Sequence, residues 1–168
     1  MSKKNYLTIG LLLLVLGVAG VLFYQQSTEK TEGPMEALMT MEVINGEMIS
    51  ESDLASRPTL VVKWATWCPS CVDELLYLKE SHDEFAKRVN LVAVNITRNE
   101  RNFNDVINLL EWADLPFLVL ADKEGKTSEY FPSRFIPANF LLNPNGELVE
   151  SVEGPIDLKT LNNWLNNM

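Results

Sequence analysis

Cys68 and Cys71 are the only thiols in the chain. They stand in Trp67-Cys68-Pro69-Ser70-Cys71, directly after the apolar run Leu60-Val61-Val62-Lys63-Trp64 and before the helix-forming stretch Val72-Asp73-Glu74-Leu75-Leu76-Tyr77-Leu78. A strand therefore runs into two thiols at the mouth of a helix. Unpaired backbone N–H groups and the helix macrodipole favour an anion there, so the first thiol ionises more readily than a free one. The second lies one helical turn on, close enough to close a disulfide with the first. A reactive thiolate and a resolving thiol within reach are what dithiol–disulfide exchange needs, without a further cofactor.

Other uses of two cysteines fit less well. A structural zinc site wants four ligands and a catalytic one three, whereas this chain supplies two thiols and a single histidine, His82. No metal site is expected. A purely structural disulfide across so short a loop constrains the unfolded chain little and makes a poor staple.

The elements that must position the thiols begin with the segment 6–24, which carries no charged residue and is dominated by Leu, Val and Gly. At ~1.5 Å per helical residue it is long enough to cross a bilayer. Lys3 and Lys4 precede it while Glu29, Lys30 and Glu32 follow. The positive-inside rule then puts the N-terminus in the cytoplasm and the rest outside the cell membrane, as a single-pass protein. A cleaved signal peptide is the alternative, although the apolar run continues past Gly17-Val18-Ala19-Gly20 without a polar cleavage region. No cysteine follows the run to carry a lipid.

The expected organisation is a transmembrane signal-anchor over 1–24, a polar tether with Gly33-Pro34 over 25–40, and one redox domain over 41–168. All 23 acidic residues follow residue 24, so the external part is more acidic than the whole chain, which is already at −9. Nucleic acid and anionic lipid surfaces are accordingly not expected partners, and a soluble monomeric domain is. Met35, Met39, Met41 and Met48 cluster within a short span. Their sulfurs can bind Cu(I), but without accompanying His or Cys they read as fillers of core gaps.

Met41-Glu42-Val43-Ile44, Asn45-Gly46 and Glu47-Met48-Ile49 form a hairpin pattern around a favoured turn dipeptide. Ser50 or Ser52 can cap a short turn through Leu54. The apolar stretches 59–64 and 90–96 read as central strands buried on both faces, and the helix between them, with Val72, Leu75, Leu76 and Phe85, completes a βαβ crossover. Lys63 is an anomaly in that pattern. Phe103, Val106, Ile107, Leu110 and Ala113 mark an amphipathic helix over 100–113 with Asn99 as its cap. A strand over 117–121 and a single helical turn over 128–131 follow. Phe135-Ile136-Pro137-Ala138-Asn139-Phe140-Leu141-Leu142, Asn143-Pro144-Asn145-Gly146 and Glu147-Leu148-Val149-Glu150-Ser151-Val152 then give an antiparallel hairpin with a proline at its first strand's start. A helix over 157–167 with Leu158, Leu161, Trp164 and Leu165 closes the chain.

With these motifs the sequence resembles the thioredoxin superfamily, and within it the membrane-tethered extracytoplasmic thiol-disulfide oxidoreductases of the TlpA, ResA and CcmG type. The resemblance runs from Met41 to the end. It rests on Lys63-Trp64-Ala65-Thr66-Trp67-Cys68-Pro69-Ser70-Cys71, on Ile136-Pro137 before an apolar strand, and on Asn143-Pro144-Asn145-Gly146. It implies an α/β fold with a central mixed sheet flanked by helices, an N-terminal hairpin, and a central strand-helix insertion over 97–133. It also implies roles. Cys68 would be the nucleophile and Cys71 the resolving thiol of a redox-active disulfide. Pro137 would follow a cis bond and lie against that disulfide, leaving the Ile136 backbone to pair with an extended substrate. Trp67 and Pro69 would border the substrate, and Glu74 would be an acid beneath the thiols. The partners implied are protein thiols and disulfides and a membrane electron-transfer protein.

The sequence departs from the family's pattern in three places: Lys63 replaces an aromatic, Val62 stands where thioredoxin has a buried aspartate, and Ala138 replaces a threonine. His82 reads as a surface residue. A buried Lys63 would want an acidic partner, and Glu74 is the nearest candidate in sequence. Pro69 has no N–H to offer a thiolate, Ser70 stands where strongly oxidising relatives have a histidine, and the domain is acidic. These features favour a reductant, as in cytochrome c maturation, over a disulfide-forming oxidase. A thioredoxin-like copper chaperone would want wider cysteine spacing and a distant histidine. A thiol peroxidase would want a Thr-x-x pattern before the cysteine, which Thr66-Trp67-Cys68 does not supply.

Overall fold

Six strands form one sheet among the described residues: β1 (Glu42–Asn45), β2 (Thr59–Trp64), β3 (Asn90–Asn95), β4 (Leu118–Ala121), β5 (Ala138–Leu142) and β6 (Leu148–Glu153). Their spatial order is β1-β4-β3-β2-β5-β6. The computed structural model describes residues 14, 16–18, 33–46, 54 and 56–168. The chain divides into two units, Met1–Glu32 and Gly33–Met168. In the first, the described residues are helical and exposed. Among the described residues no helix is long and apolar enough to cross a membrane. The rest of the expected anchor over 1–24, the tether as far as residue 32, the second hairpin strand Glu47-Met48-Ile49 and the caps Ser50 and Ser52 lie outside the described residues.

The sheet is mixed. β2 runs parallel to β3, and β3 parallel to β4. β5 is antiparallel to both β2 and β6, and β1 is antiparallel to β4. Every residue of β2 and β3 is buried, as apolar runs covered on both faces should be. Strand alternation sends Leu60, Val62 and Trp64 into one core layer and Val61 into the other.

The first layer lies under α2 (Pro69–Glu80), α3 (His82–Ala86), α4 (Phe103–Ala113) and α6 (Leu158–Asn167), which contribute Leu75 and Leu78, Phe85, Val106 and Leu110, and Leu161 and Trp164. The second is closed by Leu38 of α1 (Pro34–Met39), by Leu54, and by Phe131 just after α5 (Thr127–Tyr130). The crossover expected as one helix is therefore two, because α2 stops at Ser81 and the chain restarts as α3.

Two further expectations are corrected. The cap of α4 is Asn102, whose side chain accepts from the Asn104 N–H at 3.1 Å, while Thr97–Asn99 forms a 3₁₀ turn. The tether does not reach residue 40, since α1 buries Ala37 and Leu38 completely and belongs to the domain. Met35, Met39 and Met41 pack into that second layer as gap fillers. The hairpin turn after β5 also meets α1. Gly146 adopts φ 82°, and a Cβ there would lie 2.7 Å from the Met35 Cβ, so both the turn and the packing ask for glycine.

Candidate active site

β2 delivers the chain to Cys68, which adopts extended backbone geometry and caps α2. Its Sγ accepts the Cys71 N–H at 3.2 Å, and Pro69 fills the first helical position, where a missing N–H costs nothing. Cys68 and Cys71 are joined as a disulfide. Cys68 is 6 % exposed and Cys71 fully buried, so the first sulfur is the one a partner can reach.

The Ile136–Pro137 bond is cis, and the Ile136 carbonyl oxygen lies 3.6 Å from the Cys68 Sγ. The Pro137 carbonyl is held by the Gly154 N–H at 2.8 Å. Among the described residues no hydrogen bond takes up the Ile136 N–H, which stays available beside the disulfide. Trp67, next to Cys68 in the chain, and Phe135, next to Ile136, are 51 % and 71 % exposed. Trp67, Pro69, Ile136 and Pro137 are thus brought together around Cys68.

Glu74 follows Cys71 by one turn on the same face of α2. It is 2 % exposed. One carboxylate oxygen accepts the Ile156 N–H at 2.7 Å and the Asn139 Nδ2 at 2.8 Å, while the other has no partner. Burial outweighs those bonds and pushes the carboxyl up to about 7.

Lys63 is not its partner. Asn139 pairs in register with Val62 and reaches Glu74, whereas Lys63 shares the other face with Val61. The Lys63 Nζ donates instead to the Phe131 carbonyl at 3.2 Å. The two charges lie on opposite sides of the sheet. His82, expected at the surface, is half-buried and stacks on Phe117 with 6.2 Å between centroids.

Two groups were not singled out from the sequence. Asn139 is a polar residue inside an otherwise apolar strand, and that interruption was the available signal. Glu100 gave none, because it looked like the first residue of a helix. Its carboxylate accepts the Thr66 N–H at 2.7 Å, the Thr66 hydroxyl at 2.5 Å and the Asn95 Nδ2 at 2.7 Å. The Trp67 Nε1 donates to the Asn99 carbonyl at 3.2 Å. The segment after β3 therefore grips the loop that presents Cys68. Among the described residues no cluster of His, Cys, Asp and Glu is placed to hold a metal.

The AhpC/TSA family model matches residues 35–151, which include the two cysteines, Glu74 and the cis proline. The chain belongs to this family. It is 32 % identical over 165 residues to the sporulation thiol-disulfide oxidoreductase A of Bacillus subtilis (strain 168), covering 98 % of each chain. It is 27 % identical over 173 residues to the thiol-disulfide oxidoreductase ResA of the same organism, covering 99 % of this chain and 95 % of that one. The crystal structure of StoA from Bacillus subtilis superposes with a TM-score of 0.64 at 31 % identity, over 74 % of this chain and 92 % of that one. The fold is thioredoxin-like, and this family member is a thiol-disulfide oxidoreductase whose redox pair is its C-x-x-C.

Proposed function

We propose that the protein is a membrane-anchored, monomeric reductant of protein disulfides on the outer side of the cell membrane, serving a process such as cytochrome c maturation. The observation that carries the direction is how few hydrogen bonds beyond the helix mouth itself reach the Cys68 Sγ. That sulfur meets one backbone N–H, from Cys71, and the Ser70 hydroxyl at 3.5 Å, while Pro69 contributes none. A strong oxidant is one whose reduced form is stabilised, and here that stabilisation is sparse.

In the reducing direction the Cys68 thiolate attacks one sulfur of the substrate disulfide, whose other sulfur leaves as a thiolate. Cys71 then attacks the Cys68 Sγ, which breaks the mixed disulfide and releases the second substrate sulfur. Two electrons pass to the substrate, and its two thiolates take up two protons. Glu74, poised near neutrality and one turn from Cys71, takes the proton that Cys71 must lose before it attacks. An extended substrate pairs with the free Ile136 N–H as the added strand.

The deciding measurement is the reduction potential of the Cys68–Cys71 pair in a defined thiol–disulfide buffer. A value near the about −270 mV of thioredoxin is expected. One near the about −120 mV of strongly oxidising exchangers would assign the protein to disulfide formation instead.

A further inference from the structure

A pocket of ≈ 300 Å³ opens beside Trp67 on the face of the sheet away from Glu74. Lys63, Arg98 and Asp122 supply its charged side chains, with Asn99, Thr127 and Ser128 adding polar groups. We propose that this pocket receives a carboxylate side chain of the polypeptide undergoing exchange, an Asp or Glu within about three residues of its reacting cysteine. The inference rests on the exchange reading above and names a feature of the substrate.

Lys63 is 6 % exposed, yet its ammonium uses one of three donors, on the Phe131 carbonyl. Burial of an incompletely satisfied cation is costly, and it holds the Lys63 ammonium below its ordinary value. Asp122 and Glu153 offset this through their charge alone. Asp122 has no lone pair to spare. Its two oxygens already accept from Gly125 N, Lys126 N, Thr127 N and the Thr127 hydroxyl. One oxygen of the Glu153 carboxylate, Oε1, accepts the Arg134 N–H at 2.6 Å.

Arg98 crosses the same opening. It lies against Gly125, where a Cβ would come 3.0 Å from its guanidinium, and Nη1 donates to the Glu124 carbonyl at 3.3 Å. Neither Lys63 nor Arg98 has an ion-pair partner among the described residues. Two cations thus share a pocket with one acid whose oxygens are spoken for, and a carboxylate from outside would meet unused donors of both. Trp67 forms part of the pocket and is bonded in sequence to Cys68. A side chain seated there therefore belongs to a segment lying across the disulfide. The preference is opposite to the one set by the net charge of −9, which favours basic partners.

The test uses the full chain and three peptides that differ at one position two residues from a single cysteine, carrying Glu, Gln or Lys. Second-order exchange rates are read both ways: reduced protein with the peptide as a neutral 2-mercaptoethanol mixed disulfide, and oxidised protein with the peptide thiol. The Glu peptide should react about ten-fold faster than the Gln peptide in whichever direction runs. Lys63→Met should abolish that ratio while leaving the Gln-peptide rate nearly unchanged. Arg98→Gln, at an exposed site, should reduce the ratio and covers the case in which Lys63→Met does not fold. Equal rates for Glu and Gln, or a preference for Lys, overturn the pocket assignment. Exchange confined to the oxidised protein would instead overturn the reductant reading, with the Glu-to-Gln ratio still measured.

Discussion

The Nδ2 of Asn139 donates to the Oε1 of Glu74 at 2.8 Å, tying the strand behind the cis proline to the helix that carries both cysteines. The same nitrogen donates to the Gly154 carbonyl at 2.9 Å, and the Ile156 N–H shares the Glu74 oxygen. The second Glu74 oxygen and the Asn139 Oδ1 remain without partners in a buried layer. A carboxylate left half-satisfied in this way favours its proton, which is why burial wins over two good hydrogen bonds.

Stability should carry the mark of that proton. The Glu74 carboxyl titrates near 4.5 when unfolded and about 7 when folded. The folded state then binds the extra proton between those values, and the stability it contributes is complete below about pH 4.5 and lost as pH rises through about 7. The change is on the order of 3 kcal/mol. Glu74→Gln keeps an oxygen for Asn139 and Ile156 but cannot titrate. Urea midpoints across pH 5–8 should fall with pH in the wild type relative to this variant, and parallel curves would remove Glu74 as the titrating group. Resolution of the mixed disulfide should also slow in Glu74→Gln and lose its pH dependence near 7.

The two cysteines should behave unequally. In the reduced protein Cys68, at the helix mouth, should alkylate at least about ten-fold faster than the buried Cys71. Cys71→Ala should accumulate mixed disulfides with partners, and Cys68→Ala should accumulate none. Peptide mapping after a brief pulse of iodoacetamide gives the order directly, and faster labelling of Cys71 would exchange the two roles.

Glu100 should act as a positioning residue. Glu100→Ala leaves the Thr66 N–H and the Asn95 amide without their acceptor, a loss on the order of 2 kcal/mol. Glu100→Gln, which keeps an acceptor oxygen, should recover part of the stability and of the exchange rate. Denaturant midpoints together with the quenching of Trp67 fluorescence on oxidation separate a loosened loop from a general loss of fold. No change in either readout would deny Glu100 this part.

The membrane arrangement has its own test. Protease added to intact protoplasts should digest the redox domain, and the full chain should stay with membranes through an alkaline wash. Protection of the domain would reverse the orientation drawn from Lys3 and Lys4, and release by alkali would argue against residues 6–24 as a spanning helix.

Local chemistry made much of this protein legible in one dimension. The β2 run ending in two thiols, the proline at the first position of α2, and the Asn143-Pro144-Asn145-Gly146 turn are each specified by residues a few positions apart. Short-range sterics and capping decide them wherever the rest of the chain goes. The partners of the buried charges were beyond that reach. Glu74 meets Asn139 and Ile156 from 65 and 82 residues away, and Lys63 meets Phe131 from 68. Alternation put Lys63 and Val62 on opposite faces, but only the packing of α2 over the Val62 face decided that Glu74 lies across the sheet from Lys63. Glu100 came to hold Thr66 in the same way, because β3 runs beside β2 and delivers the segment that follows it to the rim where the cysteines emerge. Patterns along a chain encode which face a residue takes, while the sheet order and the seating of helices on it determine what that face meets.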